Sequence, residues 1–501
     1  MSAARLPSVP LLPGLRSAPA LPAGGRGAAL LRPLPRGFAI SRRSAALAGV
    51  VSTTAALTLY GNRTLAGDVY FLLAAGRHLD RVGWTDRDPF LTLSHGRTWN
   101  NQQWLAEWLF FQVQQAGGLT LLCVAYALLL ASTLLPLGWM CRRRSLAVTA
   151  GAWAIAVAAL VAVIDPRAGG FSVLLFAATL GLVAAARTRP RALLGLPPLF
   201  ALWANLHGAF PAGLLFGGLV VAGAAADRWL GRATHRPAPS RLAVLLSASA
   251  CLLALGLTPL GRGLLDYLVL FATQIAPDRG ATEWQPAHRH PEVLVLVGAF
   301  VAFAGALWRR SPRPRRIEPI LVAGVFALFA LMAIRHAVWL GPLSFYLLHA
   351  LGPEDHWRLP RRVSLPAAGA ATALIALWET SIGPTPTEPK LIVEAADYAV
   401  RHPPPRGRIL SLSGTGSYLL WRGPSMRVAV DGRLELYDRR EIVASYRVHD
   451  GYGDFGYLRR WRVGGVLTRS AEGARALRRQ GFRLAARRGR GHYLMRRLGS
   501  S

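Results

Sequence analysis

Lysine is all but missing from this 501-residue chain, Lys390 being the only one, so its 58 basic residues are nearly all arginine. Acids are scarce as well, 25 in all, and charged residues make up only 17% of the chain. A soluble protein carries about 25% charged residues on average. That shortage, beside 52% hydrophobic residues, makes lipid the expected main solvent. Cysteine is reduced to Cys123, Cys141 and Cys251, each in or at the end of an apolar run, which leaves no disulfide framework and no thiolate metal centre. An internal repeat, a G-x-G-x-x-G turn and a Walker-type phosphate loop are also missing, so nothing points to a nucleotide-binding fold.

What is abundant is positive charge, a net +33. The arginines fall in short bursts between apolar runs and not along a stripe, which reads as membrane topology and not as a nucleic-acid footprint. The heavy use of Arg, Ala, Gly and Pro suggests a GC-rich bacterial genome. Residues 1–43 hold seven arginines and no acid and are expected to form a disordered basic cytoplasmic tail. Apolar runs long enough to cross a bilayer, or nearly so, lie near 44–60, 118–141, 146–164, 169–187, 191–206, 209–226, 242–257, 293–308, 319–334, 337–351 and 363–380, about eleven spans. The first is read as a retained anchor, and the fifth and sixth as a tight hairpin turning at His207 and Gly208.

Alternate loops are arginine-rich: Arg142 to Arg144, RTRPR from Arg187, the stretch with Arg228 to Arg241, RRSPRPRR from Arg309, then Arg358 to Arg362. By the positive-inside rule these are cytoplasmic, with the amino terminus inside and the carboxyl terminus outside. The other loops gather acids, histidine and tryptophan. Two of them, 61–117 and 258–292, exceed the length of a simple connector, and GLLDYLVLFATQI in the second reads as an interfacial helix. From 381 to 501 the pattern changes. Helical stretches (LIVEAADYAV, AEGARALRRQ) alternate with strand-like runs (RILSL, RVAVD, GGVLT, HYLMR), as in a small α/β domain. The expected fold is mainly α: a polytopic transmembrane helical bundle, 44–380, with a small extracytoplasmic α/β domain at its carboxyl end.

Asp68, just beyond the first span, has the position and chemistry of a general base beside the headgroup region; a helix cap or a partner for Arg77 is the alternative. Asp86 and Asp88, two apart, suit a divalent cation that bridges phosphates, or a plain turn before Pro89. Asn205 and His207 beside Trp203 form a polar trio that either faces a cavity or stitches the hairpin. Arg335 and His336 read as a cationic pair for a phosphate, or as snorkelling at a helix end. Asp165-Pro166-Arg167 reads as a turn with an internal ion pair. Glu283 with Trp284 combines an acid for hydroxyls with a flat face for a pyranose; an interfacial anchor is the other reading.

The block DVYFLLAAGRHLDRVGWTDRDPFLTLSHGRTWNNQQWLAEWL, with LWANLHG, TEWQP, Arg335-His336 and GSYLLWRGPSMRVAVDGRLELY, resembles a group of bacterial polytopic membrane proteins. That group is similar to the GT-C superfamily of lipid-linked-sugar glycosyltransferases. The resemblance implies an enzyme of the bacterial cytoplasmic membrane and cell envelope, with membrane lipid and a polyprenyl-phosphate-linked sugar as partners. It also implies Asp68 as catalytic base, Asp86 or Asp88 as accessory acid or metal ligand, and Arg335 and His336 on the donor phosphate. Where the group has His-Glu before Trp-Leu, this chain has Gln102-Gln103. A transporter or flippase of lipid-linked material, or a non-catalytic scaffold of the same fold, are the other readings. The expected topology has a direct test: a reporter fused after Ser501 is active only outside the cytoplasm, and activity confined to the cytoplasm would overturn the orientation.

Overall fold

The computed structural model describes residues 65, 67–141, 144, 146–160, 165–232, 239–261, 263–273, 282–352, 392–405 and 408–496. The expected tail, the spans at 44–60 and 363–380 and the proline-rich segment around 384–389 lie outside these residues. Among the described residues the first helix runs from Gly67 to Val82, and the next from Trp104 to Ser132 with a break at Gly117 and Gly118. Gly118 has φ +70°, a left-handed conformation that glycine adopts without steric cost. The break separates an amino-terminal piece, which carries Glu107, from an apolar piece that continues through Leu134–Cys141. The expected span at 118–141 corresponds to that second piece alone.

The protein is mainly helical with one small sheet. Among the described residues, three helical regions are long and apolar enough to cross a membrane: Trp104–Cys141, Gly169–Ala186 and Pro291–Arg310. Val148–Leu160, Arg241–Ala254 and Glu318–Met332 are apolar but shorter. The described helices therefore fall short of about eleven full crossings. Leu196–Leu206 and Leu340–Leu351 have 11 and 12 residues, below the roughly 17 that a span requires, because 3-10 turns precede both. The expected tight hairpin at His207 is also looser than its sequence implied. Leu196–Leu206 packs on Arg241–Ala254, whereas Pro211–Trp229 packs on Glu318–Met332. Leu242, Leu245, Leu246, Leu252 and Leu253 stand exposed along one helix, and Leu294, Val295 and Val301 along another. Apolar faces of this extent need lipid to cover them.

The arginine-rich end of the bundle is not purely basic, which corrects the sequence reading of that face. Glu318 is fully buried and takes Arg187 at 2.6 Å, together with Arg316 and the Tyr346 hydroxyl. Asp227 accepts the Ile317 N–H at 2.7 Å and the Glu318 N–H at 3.3 Å, closing the start of the Glu318–Met332 helix. These arginines thus stitch helix ends together as well as marking a side.

In the carboxyl-terminal part, β1 (Arg408–Leu410), β2 (Arg427–Val428), β3 (Gly465–Thr468), β4 (Phe482–Arg488) and β5 (Gly491–Arg496) form a sheet in the order β2-β1-β3-β5-β4. Strand β1 pairs parallel with β2 and β3, while β5 pairs antiparallel with β3 and β4. Every residue of β3 is buried, as befits a central strand covered on both faces. Four of the strands fall in the runs expected from β-branched and apolar spacing. The fifth, β4, reads FRLAARR, and its arginines hid it.

This unit is locked to the first loop. The helix Ser413–Arg422 crosses Gly67–Val82 so closely that a Cβ on Gly67 would lie 2.4 Å from the Gly414 Cα, an approach that only paired glycines permit. Arg77 donates to the Leu420 and Trp421 carbonyls at 2.8 Å each, capping the end of that helix. Arg97 grips Glu441 with both terminal nitrogens at 2.9 and 2.7 Å. Arg433, 3% exposed, bridges Asp88 at 2.7 Å and Asp431 at 2.6 Å. Phe71, Phe90 and Trp99 surround its guanidinium, each with its ring centre 4.9 Å away.

Removing one member of such a buried pair leaves an uncompensated charge, at a cost of about 3–5 kcal/mol. Asp88→Asn is accordingly expected to lower the thermal unfolding midpoint in detergent. Burial opposes ionisation of Asp88, but Arg433 and hydrogen bonds from Ser94 and Phe90 override it, and the pKa falls below the usual carboxylate value. With the folded pKa depressed, the stabilisation is present above the unfolded value of about 3.9 and lost as pH falls through the folded one. The wild-type midpoint should drop in that acid window, and Asp88→Asn should flatten the drop. An undiminished acid dependence in the variant would exclude Asp88 as its source.

Candidate functional site

A cavity of about 1040 Å³ opens where the connecting loops meet the carboxyl-terminal unit. The first loop supplies Asp68, Gln102 and Gln103 to its wall, and the turn before Gly169–Ala186 supplies Arg167. His207, Tyr267, Glu283, Trp284, Arg335 and His336 come from four further segments, and Gly432, Arg433 and Glu435 from the carboxyl-terminal unit. Six residues singled out by sequence, Asp68, His207, Glu283, Trp284, Arg335 and His336, share this one space.

Asp68 stands in the first turn of Gly67–Val82, where a carboxylate suits the positive end of the helix. Its side chain lines the cavity and is exposed there, with protein groups gathered around it. It makes no hydrogen bond or ion pair among the described residues, and Arg77 is engaged elsewhere. Burial raises its pKa above the usual carboxylate range, Arg167 acts against that, and Glu283, Asp165 and Arg335 contribute less. The carboxyl-terminal unit comes close here, since a Cβ on Gly432 would lie 3.5 Å from the Asp68 Oδ1.

Glu283 bridges two arginines, with Oε1 at 3.2 Å from Arg335 and Oε2 at 3.8 Å from Arg167. Arg167 also reaches Asp165 at 3.5 Å, the expected internal pair of that turn. Burial works against the charge of Arg167, but Asp68, Glu283 and Asp165 outweigh it and raise its pKa. Arg335 lies over the Trp284 ring, 4.2 Å from its centre, so that indole face meets a guanidinium in place of the expected sugar ring.

The two histidines carry no charge near neutral pH. Burial, then Arg335 and Arg167, push the His207 pKa down to about 3. Burial and Arg335 push His336 down to about 4. The expected Arg335-His336 cationic pair is therefore one cation and one neutral ring, the latter packed on Trp284 and Phe329. His207 Nδ1 lies 2.8 Å from the Ser172 Oγ, which accepts the Trp203 indole N–H at 2.7 Å. A hydroxyl accepts twice and donates once, so Ser172 satisfies either tautomer of the neutral His207 ring while it holds the Trp203 indole.

Other candidates lie outside the cavity. Asn205 accepts the Trp104 indole N–H at 2.8 Å and donates to the Leu257 carbonyl at 2.8 Å, tying three segments together. Asp86 is exposed, while Asp88 is buried. Asp88 spends both oxygens, one on Arg433 and the Phe90 N–H, the other on Thr92 and Ser94. The expected cation grip by Asp86 and Asp88 is therefore not formed, because Arg433 already supplies the positive charge. No group of three or more His, Cys, Asp or Glu side chains suited to a metal occurs among the described residues.

Sequence reading missed Arg167 as a cavity residue, and with it Ser172, Tyr267, Arg433 and Glu435. It passed over Glu107, which is fully buried under hydrogen bonds from Asn101 at 2.5 Å and Gln103 at 3.3 Å. Its signal was a lone acid followed by apolar residues in AEWLFF. Gln103, which Glu107 orients, lines the cavity, as does Gln102, bonded to the Tyr267 side chain.

No family model matches the chain, and neither does any curated protein. Among solved structures it is similar to the Archaeoglobus fulgidus oligosaccharyltransferase in the apo form, at 12% identity and a TM-score of 0.44. That match covers 84% of this chain and 69% of the other.

A carboxyl of raised pKa that lines an accessible cavity is the kind that a hydrophobic carbodiimide modifies, since the acid gives the reagent its proton before the carboxylate adds to it. Treatment with dicyclohexylcarbodiimide followed by peptide mass spectrometry is expected to label Asp68, with less labelling as pH rises. Labelling unaffected by Asp68→Asn would contradict this geometry.

Proposed function

We propose that this protein is a membrane glycosyltransferase of the GT-C type, moving a sugar from a polyprenyl-phosphate donor to an extracytoplasmic acceptor in the bacterial cell envelope. The observation that carries the reading is the uncommitted Asp68 carboxylate facing Arg167 and Arg335 across one cavity, in a protein whose apolar helices require lipid. On this reading the cavity faces outward, the amino terminus is cytoplasmic, and the carboxyl-terminal unit is extracytoplasmic.

In the reaction, Asp68 takes the proton of an acceptor hydroxyl. The acceptor oxygen forms a bond to the anomeric carbon as the bond from that carbon to the phosphate oxygen breaks, and the bond pair leaves with the phosphate. Arg167 and Arg335 stabilise the charge that gathers there. Burial strengthens Asp68 as a base, and Arg167 keeps it able to ionise. His207, as a neutral ring, and Gln102, Gln103 and Tyr267 offer hydrogen bonds to sugar hydroxyls. Asn205 and Asp88 support the walls. The donor set around Asp86 and Asp88 does not fit a divalent metal, and no step runs through one.

Loss of a general base lowers rate by about 10²–10⁴-fold. Asp68→Asn in lipid nanodiscs is expected to lose transfer from a labelled polyprenyl-linked sugar by that order, with expression and donor binding retained. Arg335→Gln should instead weaken donor binding. Wild-type transfer by Asp68→Asn would remove Asp68 from catalysis.

A further inference from the structure

Charge around the proposed phosphate site does not favour an incoming anion. Two guanidinium groups, Arg167 and Arg335, stand among three carboxylates, Asp68, Asp165 and Glu283. Among the described residues the third cavity-lining arginine, Arg433, is committed to Asp88 and Asp431, and His207 and His336 are neutral. An anion that bridges the two arginines where they face each other must therefore take the place of the Glu283 carboxylate.

Glu283 is the carboxylate able to leave. It sits on the three-residue turn Thr282–Trp284 with a side chain 45% exposed, whereas Asp165 is 24% exposed and belongs to the same turn as Arg167. Each Glu283 oxygen faces a different arginine, the arrangement that two phosphate oxygens would take. Trp284, next in the chain, holds the Arg335 plane in place from its face. In addition, the Arg167 Nε is buried without a hydrogen-bond partner among the described residues, so the site has a donor that Glu283 leaves unused.

Replacing one negative charge by another across the same pair gains little Coulomb energy, while replacing it by two gains substantially at these separations. We propose that Glu283 is a specificity residue: it occupies the phosphate seat between Arg167 and Arg335, and yields it to a lipid-linked diphosphate in preference to singly charged phosphodiesters. The surrounding bilayer presents phosphodiester headgroups in great excess, and an unguarded pair of arginines would bind them. The inference rests on the reading of Arg167 and Arg335 as donor phosphate ligands, and it narrows the donor to the diphosphate-linked class.

The test uses the full-length protein in phosphatidylcholine nanodiscs, titrated with farnesyl diphosphate, with a farnesyl methyl phosphodiester and with phosphatidylglycerol. Wild type is expected to prefer the diphosphate to both monoanions by about tenfold, a small share of what one charge is worth at this distance. Glu283→Gln should bind the monoanions about tenfold more tightly, because no carboxylate has to be displaced, while Glu283→Asp, which keeps the charge, should still exclude them. Unchanged or weaker monoanion binding by Glu283→Gln, or equal effects of the Gln and Asp variants, overturns the assignment. Arg335→Gln separates the two readings. If it leaves diphosphate binding intact, the phosphate site itself is wrong; if it weakens binding while Glu283→Gln changes nothing, only the role of Glu283 fails.

Discussion

The Arg433 guanidinium, enclosed by Phe71, Phe90 and Trp99 and clamped between Asp88 and Asp431, fixes the relation between the two parts of the molecule. One carboxylate comes from the first loop, the other from the loop after β2. An arginine this deeply buried is held only while both partners remain, since each charge left alone would face the full cost of desolvation. The same loop carries Gly432 against Asp68 and Glu435 into the cavity. The cavity wall is thus a by-product of a structural ion pair, and the carboxyl-terminal unit is part of the site.

Two kinds of arginine follow from this. At the Glu318 end, guanidiniums meet buried acids and close helix ends. Around the cavity, Arg167 and Arg335 meet carboxylates that remain open to solvent or to a ligand. The two differ in partner and burial, which sequence does not display. The positive-inside pattern treats every arginine in a short loop alike and so cannot separate a structural clamp from a phosphate ligand.

Much of the site was nonetheless legible. Asp68, His207, Glu283, Trp284, Arg335 and His336 stood out because ionisable or aromatic groups between apolar runs are costly unless something engages them, and all six line one space. Asp88 stood out for its spacing from Asp86, but its engagement proved to be with Arg433 across 345 residues. Arg167 was read as half of a local pair with Asp165; the pair exists, yet the second contact with Glu283 is invisible in a tripeptide. His336 looked cationic beside Arg335, whereas that same neighbour and burial keep it neutral.

Composition and periodicity by themselves determined the solvent, the helical class, the apolar stretches and four of the five strands, because each depends on residues near one another in the chain. Tertiary structure alone decided which acids are free and which are spent, which histidines carry charge, and how many apolar runs make helices of spanning length. Those outcomes depend on partners brought together from hundreds of residues apart, and on a desolvation that has no local signature. Asp68 and Asp88 share a loop and a side chain; only the folded chain leaves one open to a cavity and seals the other against Arg433.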